Sequence, residues 1–196
     1  MSLVSGDEIK NLISSEELVI TPLLDKDNQV GPSGIDLRLS NEFKVSIQTR
    51  NPVLSVEDEK IETFFQETYK EFGENVIIYP NQLVLANTFE YIRMPDNVMG
   101  FVYTRSSFER LGLSITSVIQ PGYAGTLTLQ LTNKGENAIK LRTGMRIVQL
   151  VLFQVSKELD SYRSAISSKY VGNIHPVLSE INRDQDLDIL KKIRNK

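Results

Sequence analysis

Two arginines five residues apart, Arg105 and Arg110, flank the pair Ser106-Ser107. A guanidinium fork grips phosphate oxygens in a two-pronged way, and hydroxyls together with the free N–H groups of a first helical turn add further donors. The block therefore has the chemistry of a polyphosphate cradle. It also fits a capped helix carrying surface arginines, because Ser106-Ser107-Phe108-Glu109 has the spacing of a helix N-terminus. A second stretch, 126–132, alternates strictly. Leu127, Leu129 and Leu131 fall on one side of the expected strand, and Thr126, Thr128, Gln130 and Thr132 on the other. Gln130 thus stands on a polar face, which is either solvated or one wall of a pocket beside the phosphate-binding turn.

Other chemistries are harder to build from this chain. It has no cysteine, which removes disulfides, thiolate nucleophiles, iron–sulfur clusters and cysteine-based zinc sites. The lone histidine, His175, precedes Pro176 in a polar stretch and reads as a surface or flap residue; no spacing recommends a Ser-His-Asp set. The 22 Lys and Arg nearly balance 25 Asp and Glu, for a formal net charge of −3. Without a basic run or stripe, nucleic acid is not an expected partner. The sequence shows neither a basic leader followed by an apolar stretch nor a run approaching twenty apolar residues, so the expectation is a cytoplasmic protein off the membrane.

The elements that must position these residues are mostly short strands. Apolar-rich runs at 76–79, 83–89, 98–103, 113–119, 126–132 and 147–155 are punctuated by Pro80-Asn81, Pro95-Asp96, Pro121-Gly122, Lys134-Gly135 and Thr143-Gly144. Strands at that spacing predict a mainly β fold, a sandwich or barrel-like jelly roll with short flanking helices, rather than βαβ units. A helix is expected over 5–18, with Ser5 as N-cap and Asp7 and Glu8 in its first turn. The Gly31-Pro32-Ser33-Gly34 cluster turns the chain into an alternating strand at 35–39, and 51–74 reads as an excursion or edge hairpin. The expected domain covers 1–178, followed by a tail over 179–196 that has helical periodicity.

Four blocks, in order and at fitting spacing, carry a family resemblance: Ser33-Gly34-Ile35-Asp36-Leu37-Arg38-Leu39; Arg105-Ser106-Ser107 with Arg110-Leu111-Gly112; Gln120-Pro121-Gly122-Tyr123 with Gly125; and Gly144-Met145-Arg146-Ile147-Val148-Gln149-Leu150. They resemble the successive motifs of the dCTP deaminases and of the related dUTP pyrophosphatases. The resemblance implies a distorted β-barrel or jelly roll of the dUTPase-like type, assembled as a homotrimer with sites at subunit boundaries. The implied ligand is a pyrimidine deoxynucleoside triphosphate carrying Mg2+ through its phosphates. It assigns phosphate contacts to Arg105, Ser106, Ser107 and Arg110, a phosphate or supporting role to Gln149, and phosphate contacts to Lys169 and Tyr170 in a segment that closes over the nucleotide.

Two departures stand at the positions of greatest chemical weight. Gln130 occupies the place of the glutamate that activates water for attack on cytosine C4, and Gln120 that of the aspartate that activates water for attack on phosphate. An amide orients water but does not take its proton as a carboxylate does. The stretch from Arg110 to the Pro121-Gly122 turn is also shorter than in the deaminases. Three functions follow, in this order: a dCTP deaminase-like hydrolase producing dUTP and ammonia; a noncatalytic nucleotide-binding or regulatory module that lost its general base; and a dUTP pyrophosphatase releasing dUMP and pyrophosphate.

Overall fold

The computed structural model describes residues 2–50, 53–55, 60–155 and 169–183, with 186, 189, 192 and 193. Ser5 opens the first helix as expected. After β1 (Ser2–Leu3), α1 spans Gly6–Ser14; its N-cap hydroxyl accepts from Glu8 N–H at 3.4 Å while the Glu8 carboxylate accepts from Ser5 N–H at 2.7 Å. The Ser5 backbone N–H, and secondarily its hydroxyl, hold the Glu8 carboxyl below its ordinary value. Truncation by Ser5→Ala removes this reciprocal cap and should lower stability by about 1 kcal/mol; urea denaturation measures it. The helix stops at Ser14, short of the expected 18, because Glu16 turns to φ 60° and Leu18 bends back so that its N–H donates to Leu12 O.

Next come β2 (Val19–Thr21), α2 (Lys26–Gln29), β3 (Val30–Gly31) and β4 (Gly34–Ser46). The tight β3–β4 hairpin pairs Gly31 with Gly34, as the turn residues foretold. Strand β4 is far longer than the 35–39 run predicted. Its first half pairs with the last long strand and its second half with the middle of the chain, across register shifts between Leu39 and Phe43. It thereby joins the β13 side of the sheet to the β7 side. A 3-10 turn, Ile61–Phe64, leads into β5 (Phe65–Tyr69), an antiparallel partner of Glu42–Ser46 in β4. Of the 51–74 stretch, read as an excursion or edge hairpin, the described part contributes a single strand whose partner lies in β4.

The remainder follows the predicted run of strands: β6 (Asn75–Ile78), β7 (Leu83–Arg93), β8 (Val98–Thr104), the short helix α3 (Ser106–Glu109), β9 (Leu113–Ser114), β10 (Thr116–Ile119), β11 (Ala124–Asn133), β12 (Ile139–Arg142) and β13 (Arg146–Gln154). The expected single strand over 113–119 is instead two. Ile115 breaks it, donating its N–H to Thr104 Oγ1 at 2.8 Å, so that β9 pairs with β11 and β10 with β8. The main sheet runs β10-β8-β13-β4-β7-β11-β9, nearly closing into a barrel, and β12 pairs with β6 alongside. Ile9 of α1 packs with Ile35, Leu37, Phe43, Leu129 and Leu150 of the strands in the buried core. The helix expected over 179–196 falls largely outside the described residues; within them Ile181–Arg183 forms a 3-10 turn. No helix among the described residues is long and apolar enough to cross a membrane.

Candidate nucleotide site

The polar face of β11 looks into a cavity of about 640 Å3. Gln130, opposite Leu85 of β7, is exposed there. Gln120 reaches the same cavity from the end of β10, just before a turn in which Gly122 takes φ 73°, a conformation that favours glycine. The outer wall comes from two places. One is the excursion and the start of β5, through Leu54, Ile61 and Phe65; the other is the tail, through Tyr170, Val177 and Ile181. Neither Gln120 nor Gln130 makes a side-chain hydrogen bond among the described residues. No Asp, Glu, His, Lys or Arg lines the cavity among the described residues.

The tail is fixed where β11 is irregular. The β11–β7 register shifts between Thr126 and Thr128, and Leu127 N–H donates to Thr88 Oγ1 instead of to a ladder partner. The tail fills that gap: Gly172 N–H donates to Ala124 O at 2.7 Å, Thr126 N–H to Asn173 O at 2.9 Å, and Asn87 Nδ2 to Ile174 O at 2.8 Å. His175, exposed as expected of a surface or flap residue, pairs through Nδ1 with Glu42 Oε2 at 2.6 Å. Tyr170 lines the cavity, and its hydroxyl accepts from Glu180 N–H. Lys169 stands beside it in sequence but is not a lining residue.

A second group gathers where β4, β8 and β13 meet. Asp36 Oδ2 lies 3.0 Å from Arg105 Nε and 3.7 Å from Arg146 Nη1. Burial pushes the Asp36 carboxyl above its ordinary value, opposed by the charges of Arg105, Arg146 and Arg38. Arg105 also donates through Nη1 to Arg146 O at 2.9 Å, and Arg146 donates to Asn28 O at the end of α2. Gln149 pairs in register with Asp36, and a Cβ on Gly34 would come 3.1 Å from Gln149 Cγ and 2.7 Å from Leu150 O; only glycine lets the strands approach so closely here. Behind them lies Glu90, fully buried. One oxygen accepts from Gln29 Nε2 at 3.0 Å and the other from Arg38 N–H at 2.8 Å, with Arg38 Nε 3.8 Å away. Burial raises its carboxyl, and the Arg38 N–H is the leading opposing contact.

Helix α3 presents the remaining phosphate candidates. Its N-cap is Arg105, and no side chain caps it, so the serine–glutamate spacing does not close into a capping box. Ser106, Ser107 and Arg110 are exposed, and their side chains make no hydrogen bond among the described residues. The structure thus gathers Gln120, Gln130 and Tyr170 in one place, and Arg105, Gln149, Ser106, Ser107 and Arg110 around another. Within one chain the two places stand at opposite ends of β8. Ile119 pairs with Gly100, so Gln120 emerges near the start of that strand, whereas Arg105 follows its end, roughly 17 Å further on at the ordinary strand rise.

A family model described as dCTP deaminase-like matches residues 3–155. The chain belongs to that family. It is 34% identical over 193 residues to "dCTP deaminase, dUMP-forming" of Methanobrevibacter smithii, covering 95% of this chain and 99% of that one. It is 33% identical over 189 residues to the dCTP deaminase of Haloarcula marismortui, covering 94% and 97%. Among solved structures, the crystal structure of 2'-deoxycytidine 5'-triphosphate deaminase from Agrobacterium tumefaciens aligns at a TM-score of 0.61 with 21% identity, over 76% of this chain. This chain spans 46% of the length of that one, and the likeness is one of fold. Against this family background, sequence reasoning missed Asp36 and Arg146 as partners of Arg105, because residues so far apart in sequence leave no local pattern. It also missed Glu90, although the alternation Val84, Ala86, Thr88, Glu90, Ile92 places that residue on the core face.

Proposed function

We propose that this chain binds a pyrimidine deoxynucleoside triphosphate and acts as a dCTP deaminase-like hydrolase, at a rate held low by the amide at position 130. The observation that carries the reading is the meeting of Gln120 and Gln130, from separate strands, in one cavity with Tyr170 of the tail. In the reaction, water oxygen bonds to cytosine C4, the C4–N4 bond breaks, and dUTP and ammonia leave. The Gln130 amide orients that water by hydrogen bonding. Its proton must pass to solvent or to a carboxylate of an adjoining copy, since no acidic or imidazole side chain lines the cavity among the described residues. That same feature favours a second reading, a noncatalytic nucleotide-binding module. The dUTP pyrophosphatase reading is the weakest, with Gln120 in the aspartate's place.

The phosphates would lie on Arg105, Ser106, Ser107 and Arg110, with Gln149 supporting and Lys169 and Tyr170 closing from the tail. Because one chain offers its cavity and its phosphate groups at opposite ends of β8, a complete site takes the two from neighbouring copies. An outward sheet face supports such an assembly, a homotrimer in our reading. Phe101 and Tyr103 of β8 stack at 6.3 Å, Phe153 of β13 meets Phe101 edge-on at 5.6 Å, and Val118 of β10 lies opposite Phe101 with 47% of its surface exposed. An apolar patch of that kind is a feature of association surfaces. Mg2+ fits as a partner of the nucleotide rather than of the protein. Among the described residues no three metal-ligating side chains cluster, and the Asp36 carboxylate is occupied by guanidinium groups. When bound, the ion neutralises phosphate charge. We place the protein in the cytoplasm, with the deoxynucleotides it would consume.

The test is incubation of the purified protein with dCTP and, separately, dUTP in Mg2+, resolving dUTP, dUMP, ammonia and pyrophosphate, alongside binding titrations. Ammonia and dUTP from dCTP are the expected products. Binding without product would establish the noncatalytic reading, dUMP with pyrophosphate from dUTP would establish the pyrophosphatase, and neither binding nor product would overturn all three.

A further inference from the structure

We infer that Asp36 is a positioning residue for phosphate recognition, fixing the Arg105 guanidinium so that one edge is held by the protein and the other faces the ligand. The inference rests on the phosphate reading of Arg105 given above. Arg105 has three nitrogens to place. Nε is held by Asp36 Oδ2 at 3.0 Å and Nη1 by Arg146 O at 2.9 Å, so Nη2 keeps both its donors free among the described residues. The Arg105 side chain is 34% exposed while that of Asp36 is 13% exposed, which puts the carboxylate behind the arginine as seen from solvent. Arg146, 3.7 Å from the same carboxylate oxygen, is anchored in turn on Asn28 O. One carboxylate therefore organises two cations and leaves the cluster positive on its outer side.

The arrangement has a physical rationale. An arginine on a strand end samples many rotamers, and each ordered hydrogen bond to a phosphate must overcome that freedom. A half-buried carboxylate that has already ordered the side chain removes the cost before the ligand arrives. A carboxylate beside a phosphate site also repels it, so removing Asp36 acts in two directions. The geometry decides between them: the guanidinium stands between the two anions and screens one from the other, while nothing else orders Nε. Orientation should outweigh repulsion.

The experiment compares wild type, Asp36→Asn, Arg105→Ala and the double variant in titrations with pyrophosphate and with dCTP, each in Mg2+, after thermal unfolding has shown each protein folded. Asp36→Asn should weaken binding roughly tenfold, through loss of the close ion pair that orders the guanidinium. It should have no further effect once Arg105 is already alanine. Beyond the fall that the ligand's own protonation imposes on both proteins, wild-type affinity should fall as pH is lowered into the range where Asp36 takes up its proton, and Asp36→Asn should lose that additional limb of the profile. A merely structural role would leave the pH limb in place and make the two substitutions additive. If Asp36→Asn binds as well as wild type, or more tightly, the carboxylate does not position Arg105 and the inference is wrong. Failure of the wild type itself to bind either ligand would instead remove the phosphate reading beneath it.

Discussion

Gln130→Glu should raise the rate of dCTP deamination by about two to four orders of magnitude, the usual contribution of a positioned general base. The backbone for this already exists. Position 130 is exposed on the polar face of β11, directly opposite Leu85, in a cavity that also contains Leu127 and Val118. A carboxylate placed there has no basic residue among the described lining to hold its proton affinity down. A base whose pKa approaches the working pH is a better catalyst than one far below it. The substitution keeps the side-chain volume nearly unchanged, and the site is open, so the fold should tolerate it. Ammonia release from dCTP in Mg2+ is the measurement. An unchanged rate in a protein that still binds dCTP would show that attack on C4 does not take place beside position 130, and the family alignment of this strand would lose its chemical meaning.

Glu90→Ala should cost about 3 kcal/mol of stability, read by urea denaturation at neutral pH. Its two oxygens satisfy Gln29 Nε2 and Arg38 N–H in a place with no access to solvent, and Arg38 Nε is already buried without a hydrogen-bond partner. Each donor left unpaired in such a place costs about 1–3 kcal/mol, and removal of the acid also leaves the Arg38 charge without its neighbour. Glu90→Gln isolates the charge. Because burial raises the Glu90 carboxyl in the folded protein, the folded state holds the proton more tightly than the unfolded chain. The stabilisation from that proton is fully present below the unfolded value, about 4.3, and is lost as pH rises through the raised folded value. The stability advantage of the wild type over Glu90→Gln should therefore be greatest in acid and shrink as pH rises from about 4.3. An advantage that grows with pH would mean that the hydrogen bonds, rather than burial, dominate this carboxylate.

These two residues also mark how far the sequence could be read. Gln130 was legible because a half-exposed strand alternates with period two, and the leucines at 127, 129 and 131 fix its side without any knowledge of the rest of the fold. The same rule applied to β7 puts Glu90 inside, beyond the 83–89 run, although a carboxylate ordinarily signals a surface. Tertiary donors from α2 and β4 overrode that preference. Strand β12 was missed though Ile139-Lys140-Leu141-Arg142 alternates cleanly, because four residues are too few to separate from a turn. The length of β4 escaped for a different reason. Its register shifts interrupt the alternation in the middle, and a shifted strand looks in sequence like two unrelated pieces. The Asp36–Arg105–Arg146 contacts had no local signature at all.

The order of the strands has a consequence for how the protein is made. β13 lies between β4 and β8 and also pairs with β1, so a strand near the end of the family-matched region is a central member of the sheet. During synthesis β4 waits, with one edge unpaired, until residues past 150 have left the ribosome, and β8 waits with it. Pairings between such distant parts of a chain form slowly, and open strand edges invite association with other molecules meanwhile. The emerging chain therefore cannot complete this sheet from the N-terminus forward; closure must await β13, which lies between strands made long before it.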